Sequence, residues 1–466
     1  MTPDQHSAAL IMATRDGDAA RVASLLESAP PTHSHAPEAL RDALAYRSLL
    51  MLAAAEGHHE TVDVLLAHGL TDNGVPDVTG MHAVHLAARG GSAATLAALA
   101  ASGHDLDMPS EDGMGHTPAH FAARHGHGPC LETIAAHGGS IDTPDATGRR
   151  PLHLAVAHGV HRVVPTLVGL GVDPNAAPLR GDGTLITACA AGDLPMAETL
   201  IGVGADVNAP GAGGLRPLHH AISADSGPCV HALARGGADL EVLGTTQVTT
   251  QVTALDMAAQ AGHLTAWRAL LEAGASVTIP SPATGMTPLQ LAARLGRPRA
   301  LEIAQQARPG CLLGQGLPQQ AISASVQERE ARRPRAAIAD CRPMLRALHA
   351  LGVPLDEATA WGATAVAVAA HFSHATALQT LQQLGADMAP ALPLLGRNAA
   401  TAQAYPAQAP AIRAAARAAA AVVTGTPPAA GHVPPSWRGY LAAPAGGATP
   451  PTATTPAGGG SGPSPR

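Results

Sequence analysis

The sequence predicts an all-α solenoid, a row of about eleven helix-turn-helix units stacked along one axis. Three observations lead there. A segment of the form TPLHxAAxxG recurs at a near-constant interval. Two glycines keep the same phase in each copy. The apolar content is 46% of 466 residues with only 2% aromatic, mostly Ala, Leu and Val, which suits short helices packed closely better than an aromatic-rich sandwich.

The interval is set by the last residue of the TPLH segment. That position falls at Met51, His85, His120, His153, Ile186, His219, Asp256 and Gln290, with spacings of 34, 35, 33, 33, 33, 37 and 34. A glycine follows six residues later at Gly57, Gly91, Gly126, Gly159, Gly192, Gly262 and Gly296, with Asp225 the exception. A second glycine follows eighteen residues after the position, as at Gly69, Gly103, Gly138, Gly171, Gly204, Gly237 and Gly274. Local chemistry agrees with a helix pair in each copy. Thr117 is a helix cap, and Pro118 suits the first helical position. The first glycine ends the short helix, and leucines at helical spacing predict a second one closed by the second glycine.

These residues resemble the ankyrin repeat, whose unit of about 33 residues carries a TPLH-type signature. The resemblance covers most of the chain up to about residue 422. It implies short β-hairpin fingers perpendicular to the helices, and a contact surface made of finger tips and the inner helix face. It also implies a protein partner without naming one.

The same register organises the rest. Residues 1–28 read as an N-terminal capping repeat, around Ile11 and Gly17, and 29–42 as an inserted loop. Residues 43–306 hold the regular repeats, with a longer finger at 243–252. Residues 307–331 read as a large insertion. Residues 332–422 read as degenerate repeats, with signature positions at Pro334 and Ala367, and a C-terminal cap. The Pro/Gly/Ala/Thr-rich residues 423–466 cannot bury a core and are expected to be a disordered tail.

Composition narrows the chemistry. The net charge is −7, so no basic field draws in nucleic acid. All 28 cationic Lys-plus-Arg residues are arginine. A P-loop and Schiff-base catalysis both need a lysine, and neither is available. No GxSxG elbow and no suggestive carboxylate pair appears, so the chain is expected to be non-enzymatic and to need no cofactor. The five cysteines are odd in number, widely spaced and without a CxxC pair, so they read as reduced thiols. The N-terminus lacks the pattern of a signal peptide, and no apolar run reaches membrane-span length. A cytoplasmic monomer that inserts in no membrane is the expectation, with export into a host cell by a route without a cleaved signal as the alternative. The Ala/Gly/Pro/Arg-rich composition points to a GC-rich, bacterial source.

The 25 histidines invite a metal reading. Most of them occupy repeated positions, so architecture accounts for them better, and stability is expected to be sensitive near pH 6. Candidate partner contacts are finger-side residues that depart from the signature: Met81, His82, Met114, His116, Arg149, Arg150, Leu215, Arg216 and Met286. Each also reads as variable surface. Arg332, Arg333 and Arg335 belong to an arginine cluster suited to an acidic or phosphate-bearing partner, or to a solvated loop with Glu328 and Glu330. Trp437 and Tyr440 form an aromatic island in the tail, either a docking motif or unconstrained sequence.

Overall fold

The computed structural model describes residues 3–28, 48–70, 75–178, 181–245, 251–282, 284–330, 340–358, 363–371, 374–391 and 394. The chain divides into two compact units, 1–317 and 318–466.

Among the described residues, unit one contains nine consecutive helix pairs. They are α1 (Pro3–Asp16) with α2 (Ala19–Glu27), α3 (Leu49–Glu56) with α4 (His59–Ala67), and α5 (Ala83–Gly90) with α6 (Ala93–Ala101). Next come α7 (Pro118–His125) with α8 (Gly128–Ala136), α9 (Pro151–Ala157) with α10 (Val164–Gly169), and α11 (Thr184–Ala191) with α12 (Leu194–Gly202). The last are α13 (Pro217–Ser223) with α14 (Gly227–Arg235), α15 (Ala254–Ala261) with α16 (Leu264–Ala273), and α17 (Pro288–Arg294) with α18 (Pro298–Ala307). Each first helix packs on the first helices beside it and each second helix on its counterparts, giving two layers.

Most of these helices are too short to be stable alone. Lateral packing supplies what length does not. In α7, Ala119, His120, Ala122 and Ala123 are fully buried, because small side chains let three first helices lie close together. The second layer is leucine-rich, with Leu96, Leu99, Leu131 and Ile134 fully buried, each contributing about 1.5–3 kcal/mol. Trp267 on α16 is fully buried and donates its indole N–H to the Ala300 carbonyl at 2.9 Å, tying one repeat to the next.

The first glycine of the repeat is a left-handed helix cap, as at Gly126 with φ 84°. Asp225 takes the same conformation at φ 49° and is the only non-glycine residue with positive φ among those described. Its carboxylate explains the exception. Asp225 Oδ1 accepts from the backbone N–H groups of Thr265 and Ala266 at 3.1 and 3.0 Å, capping α16 of the following repeat.

The fingers are turns more than hairpins. Only β1 (Gly244–Thr245) and β2 (Gln251–Val252) pair as strands among the described residues, antiparallel, with Gly244 opposite Val252 and Thr245 opposite Gln251. They flank the finger that the sequence marks as longer. The shorter fingers close within a few residues, as Asp145 N–H to the Arg149 carbonyl and Gly211 N–H to the Leu215 carbonyl show.

Unit two begins within α19 (Leu317–Glu330) and adds α20 (Arg342–Ala350), α21 (Ala365–His371) and α22 (Ala375–Gln383). Its core gathers Ile322, Leu345, Val366, Leu378 and Leu381. The stretch 307–331, read from sequence as an insertion, thus carries a helix. Gln319 on it donates to the carbonyls of Glu357 and Ala363 at 2.6 and 3.2 Å, the role of a signature residue. The signature expected at Pro334, the insertion 29–42, the C-terminal cap and the tail 423–466 lie outside the described residues.

Candidate interaction face

In three repeats the signature residue fastens the segment that follows to the start of its own helix. His120 is fully buried at the third position of α7. Its Nδ1 accepts from the Thr117 backbone N–H at 3.1 Å, so its Nε2 carries the proton and donates to the Arg149 carbonyl of the next finger at 3.1 Å. His85 does the same between His82 N–H at 3.1 Å and the Met108 carbonyl at 2.8 Å. Burial pushes both imidazoles down to about 4, against the opposing pull of those carbonyls. His153 and His219 repeat the Nδ1 half, accepting from Arg150 and Arg216. Their Nε2 atoms face the Ala176 and Val242 carbonyls without closing a well-formed bond. Gln290 replaces the ring with an amide that accepts from Thr287 N–H at 3.1 Å and donates to the Gln315 carbonyl at 2.8 Å.

The turn itself is held by a buried carboxylate or hydroxyl. Asp145 Oδ1 accepts from the Thr147 N–H at 2.8 Å, the Thr147 hydroxyl at 2.6 Å and the Arg149 N–H at 2.9 Å. Burial alone would raise this carboxyl, but the bonds from Thr147 and Arg149 outweigh it and hold it below the usual range. Asp77 builds the same turn with Thr79 and Met81. Consecutive fingers are then joined by backbone bonds, Glu111 N–H to the Gly80 carbonyl at 2.8 Å and Ala146 N–H to the Met114 carbonyl at 2.9 Å. A Cβ at Gly80 would lie 2.5 Å from the Asp112 nitrogen, so this close approach requires glycine.

The structure separates the candidate contacts into three groups. Met81, His82 and His116 are buried, at 6, 3 and 7% exposure, and are not surface contacts. The adjacent finger faces the two histidines. His82 Nε2 lies 3.6 Å from Glu111, and His116 lies between Asp112 and Asp145, at 3.7 and 3.4 Å. Met114, Arg149, Arg150, Leu215, Arg216 and Met286 are half-buried on the finger side. Arg149 bonds Asp145 and Thr147, Arg150 bonds Asp142, and Arg216 lies 3.9 Å from Asp239. Arg332, Arg333, Arg335, Trp437 and Tyr440 lie outside the described residues.

Sequence reasoning missed the last turn of the first helices. Arg124, His125 and His158 are exposed and Arg89 half-buried. Arg89 reaches back to the finger of its own repeat, with Nη1 3.8 Å from Met81 Sδ, and Arg294 repeats this at 3.9 Å from Met286 Sδ. Finger and last turn therefore share one face. The signal was the pair of variable residues between the Ala-Ala and Gly of each signature.

On the second-helix layer, a groove of about 600 Å³ crosses α14, α16 and α18 and is lined by Pro228, His231, Arg268, Glu272, Arg299 and Glu302. Among the described residues, no group of three or more His, Cys, Asp or Glu is placed to hold a metal ion. Nor is any described helix long and apolar enough to cross a membrane. All five cysteines are free.

Family models for ankyrin repeats match residues 10–110 and 85–178 (three copies) and residues 185–234 and 255–304 (many copies). Together they span more than half of the sequence, and the chain belongs to the ankyrin-repeat family. No curated protein matches it. Among solved structures, the ankyrin repeat domain of Bcl-3, described as a unique member of the IkappaB protein family, is 24% identical, with 44% of this chain and 91% of that chain covered and a TM-score of 0.39. The human ASB11 ankyrin repeat domain is 26% identical, with 49% and 99% covered and a TM-score of 0.42.

Proposed function

We propose that this protein is a non-enzymatic adaptor that binds a partner protein across its fingers and the last turns of its first helices. Ankyrin repeats generally mediate protein–protein interaction. One observation carries the finer reading. From Asp77 to Arg149 the finger side is fixed twice, by His85 and His120 below the fingers and by backbone bonds between fingers, so this part of the surface is rigid before a partner arrives. A preformed surface loses little freedom on binding. Residues that differ between repeats, such as Met114, Leu215 and Met286, lie half-buried on the finger side.

The test is affinity capture from bacterial and eukaryotic lysates with three forms of the protein. These are the natural chain, a finger variant (Met114→Glu, Leu215→Glu, Met286→Glu) and a second-layer variant (Glu302→Arg). Loss of a saturable partner in the finger variant alone supports the reading. Loss in the second-layer variant alone moves the contact to the groove over α14, α16 and α18. A second reading, delivery into a eukaryotic host as an effector of a bacterial cell, draws on the absence of lysine, which leaves no side-chain amine for ubiquitin. A partner present only in the eukaryotic lysate favours it, and one present only in the bacterial lysate removes it.

A further inference from the structure

We propose that the first helices of repeats three to five and their fingers form a cationic patch, made by Arg89 and Arg124 on last turns and Arg149 on a finger, with His125 and His158 alongside as neutral hydrogen-bonding rings, that binds an acidic peptide segment of a partner protein. This deepens the adaptor reading and rests on the finger side being the contact surface.

The patch is built, not scattered. The three last turns sit on α5, α7 and α9, which pack side by side. Arg162 donates to the His125 carbonyl at 3.2 Å, and the rings of His125 and His127 stack with centroids 6.2 Å apart. Burial comes first among the causes that hold His125 below the usual imidazole range, followed by Arg124, His127, Arg89 and His158, every one of the same sign. His158 is lowered by burial and then by Arg124 and Arg149. Among the described residues, Arg149 pairs with Asp145 at 3.2 Å, and no carboxylate forms an ion pair with Arg89 or Arg124.

The fold does not need this charge. At the equivalent positions, repeats six to eight carry Ala190 and Ala191, Ser223 and Ala224, and Gln260 and Ala261, all exposed. Like charges gathered on adjacent turns cost stability when nothing neutralises them. They also run against the chain's net charge of −7. Carboxylates are the fitting occupant, since guanidinium groups bind them through paired hydrogen bonds. Packed helices lie about 8–10 Å apart, close to one turn of polyproline II chain, three residues at about 3.1 Å each. Such a segment with an acidic residue at every third position turns all of them to one side and would meet all three repeats. A continuous polyanion such as nucleic acid fits less well, because the acidic remainder of the chain repels it.

The probe is a rhodamine-labelled peptide with glutamate at every third position and glycine and serine between, followed by fluorescence anisotropy at low salt with the full chain. The natural protein is expected to bind it. Arg89→Glu with Arg124→Glu is expected to weaken binding by about tenfold or more. Arg268→Glu with Arg299→Glu makes the same change of net charge on the second layer and is expected to shift binding less than about twofold. Circular dichroism melts confirm that both variants fold. No binding, equal weakening in both variants, or tighter binding of a single-stranded oligonucleotide would overturn the proposal. If the finger variant abolishes partner capture while the peptide result is negative, the adaptor reading stands and the acidic-segment proposal fails alone.

Discussion

Repeats three to five and repeats six to eight share one backbone plan and differ in what they do with it. In the first group the signature position holds His85, His120 and His153, and the last turns carry Arg89, Arg124, His125 and His158. In the second it holds Ile186, His219 and Asp256, and the last turns are small and neutral. The position has one task, to fasten the finger, and several side chains perform it. His85, His120 and Gln290 each bridge two backbone groups. Asp256 accepts from Thr253 N–H at 3.3 Å. Ile186 packs under the next finger, where a Cβ at Gly211 would meet its Cδ1 at 2.4 Å. Fold and surface chemistry are thus set by different residues, so one can be changed while the other is held.

The largest effect is expected from removing a bridge. His120→Leu leaves the Thr117 N–H and the Arg149 carbonyl buried without partners, a cost of about 1–3 kcal/mol for each group. His120→Gln should recover most of that loss, because Gln290 already makes both bonds. Urea unfolding at pH 7.5 compares the two, and an equal loss would show that shape, not bonding, is what the site requires.

Acid comes next. His85, His120 and His219 are held at about 4 in the fold, against an ordinary value near 6.5. The folded state therefore binds fewer protons than the unfolded chain between those values. The stabilisation is complete above pH 6.5 and is lost as pH falls toward 4, on the order of a few kcal/mol per residue. Asp256 has the opposite sign. Burial raises its carboxyl, so its contribution is present at low pH and lost as pH rises through the raised value. Asp256→Asn should stabilise the protein by about 1 kcal/mol at pH 7.5, with the gain shrinking on acidification. A gain that does not change with pH would assign the effect to packing.

Asp225 offers a smaller contrast. Asp225→Ala loses the cap on α16 and keeps an unfavourable φ, a cost of about 1–2 kcal/mol. Asp225→Gly loses the same cap but relieves the backbone, so its cost should be about half as large. The smallest change is expected from Arg216→Ala, below about 0.5 kcal/mol, since its partner Asp239 is exposed and 3.9 Å away.

Much of the stack was legible because three markers share one phase, and each marker has a local physical cause. Gln319 was missed because leucine and proline are exchanged in its signature and it lies 29 residues past Gln290. The match of Gln319-Gln320-Ala321-Ile322-Ser323 to His219-His220-Ala221-Ile222-Ser223 was the available signal. Met81, His82 and His116 were chosen for departing from the signature, and nothing local reveals that all three are buried. The patch at Arg89, Arg124 and His158 was hidden for the converse reason. Its residues are ordinary one at a time, and only the stacking of α5, α7 and α9 brings them together.

Amide hydrogen exchange of the full chain, with and without its captured partner, tests most directly where binding occurs. The account predicts new protection at the finger residues 145–149 and at the last turns of α5, α7 and α9, with the second layer unchanged. Protection confined to α14, α16 and α18 would contradict it.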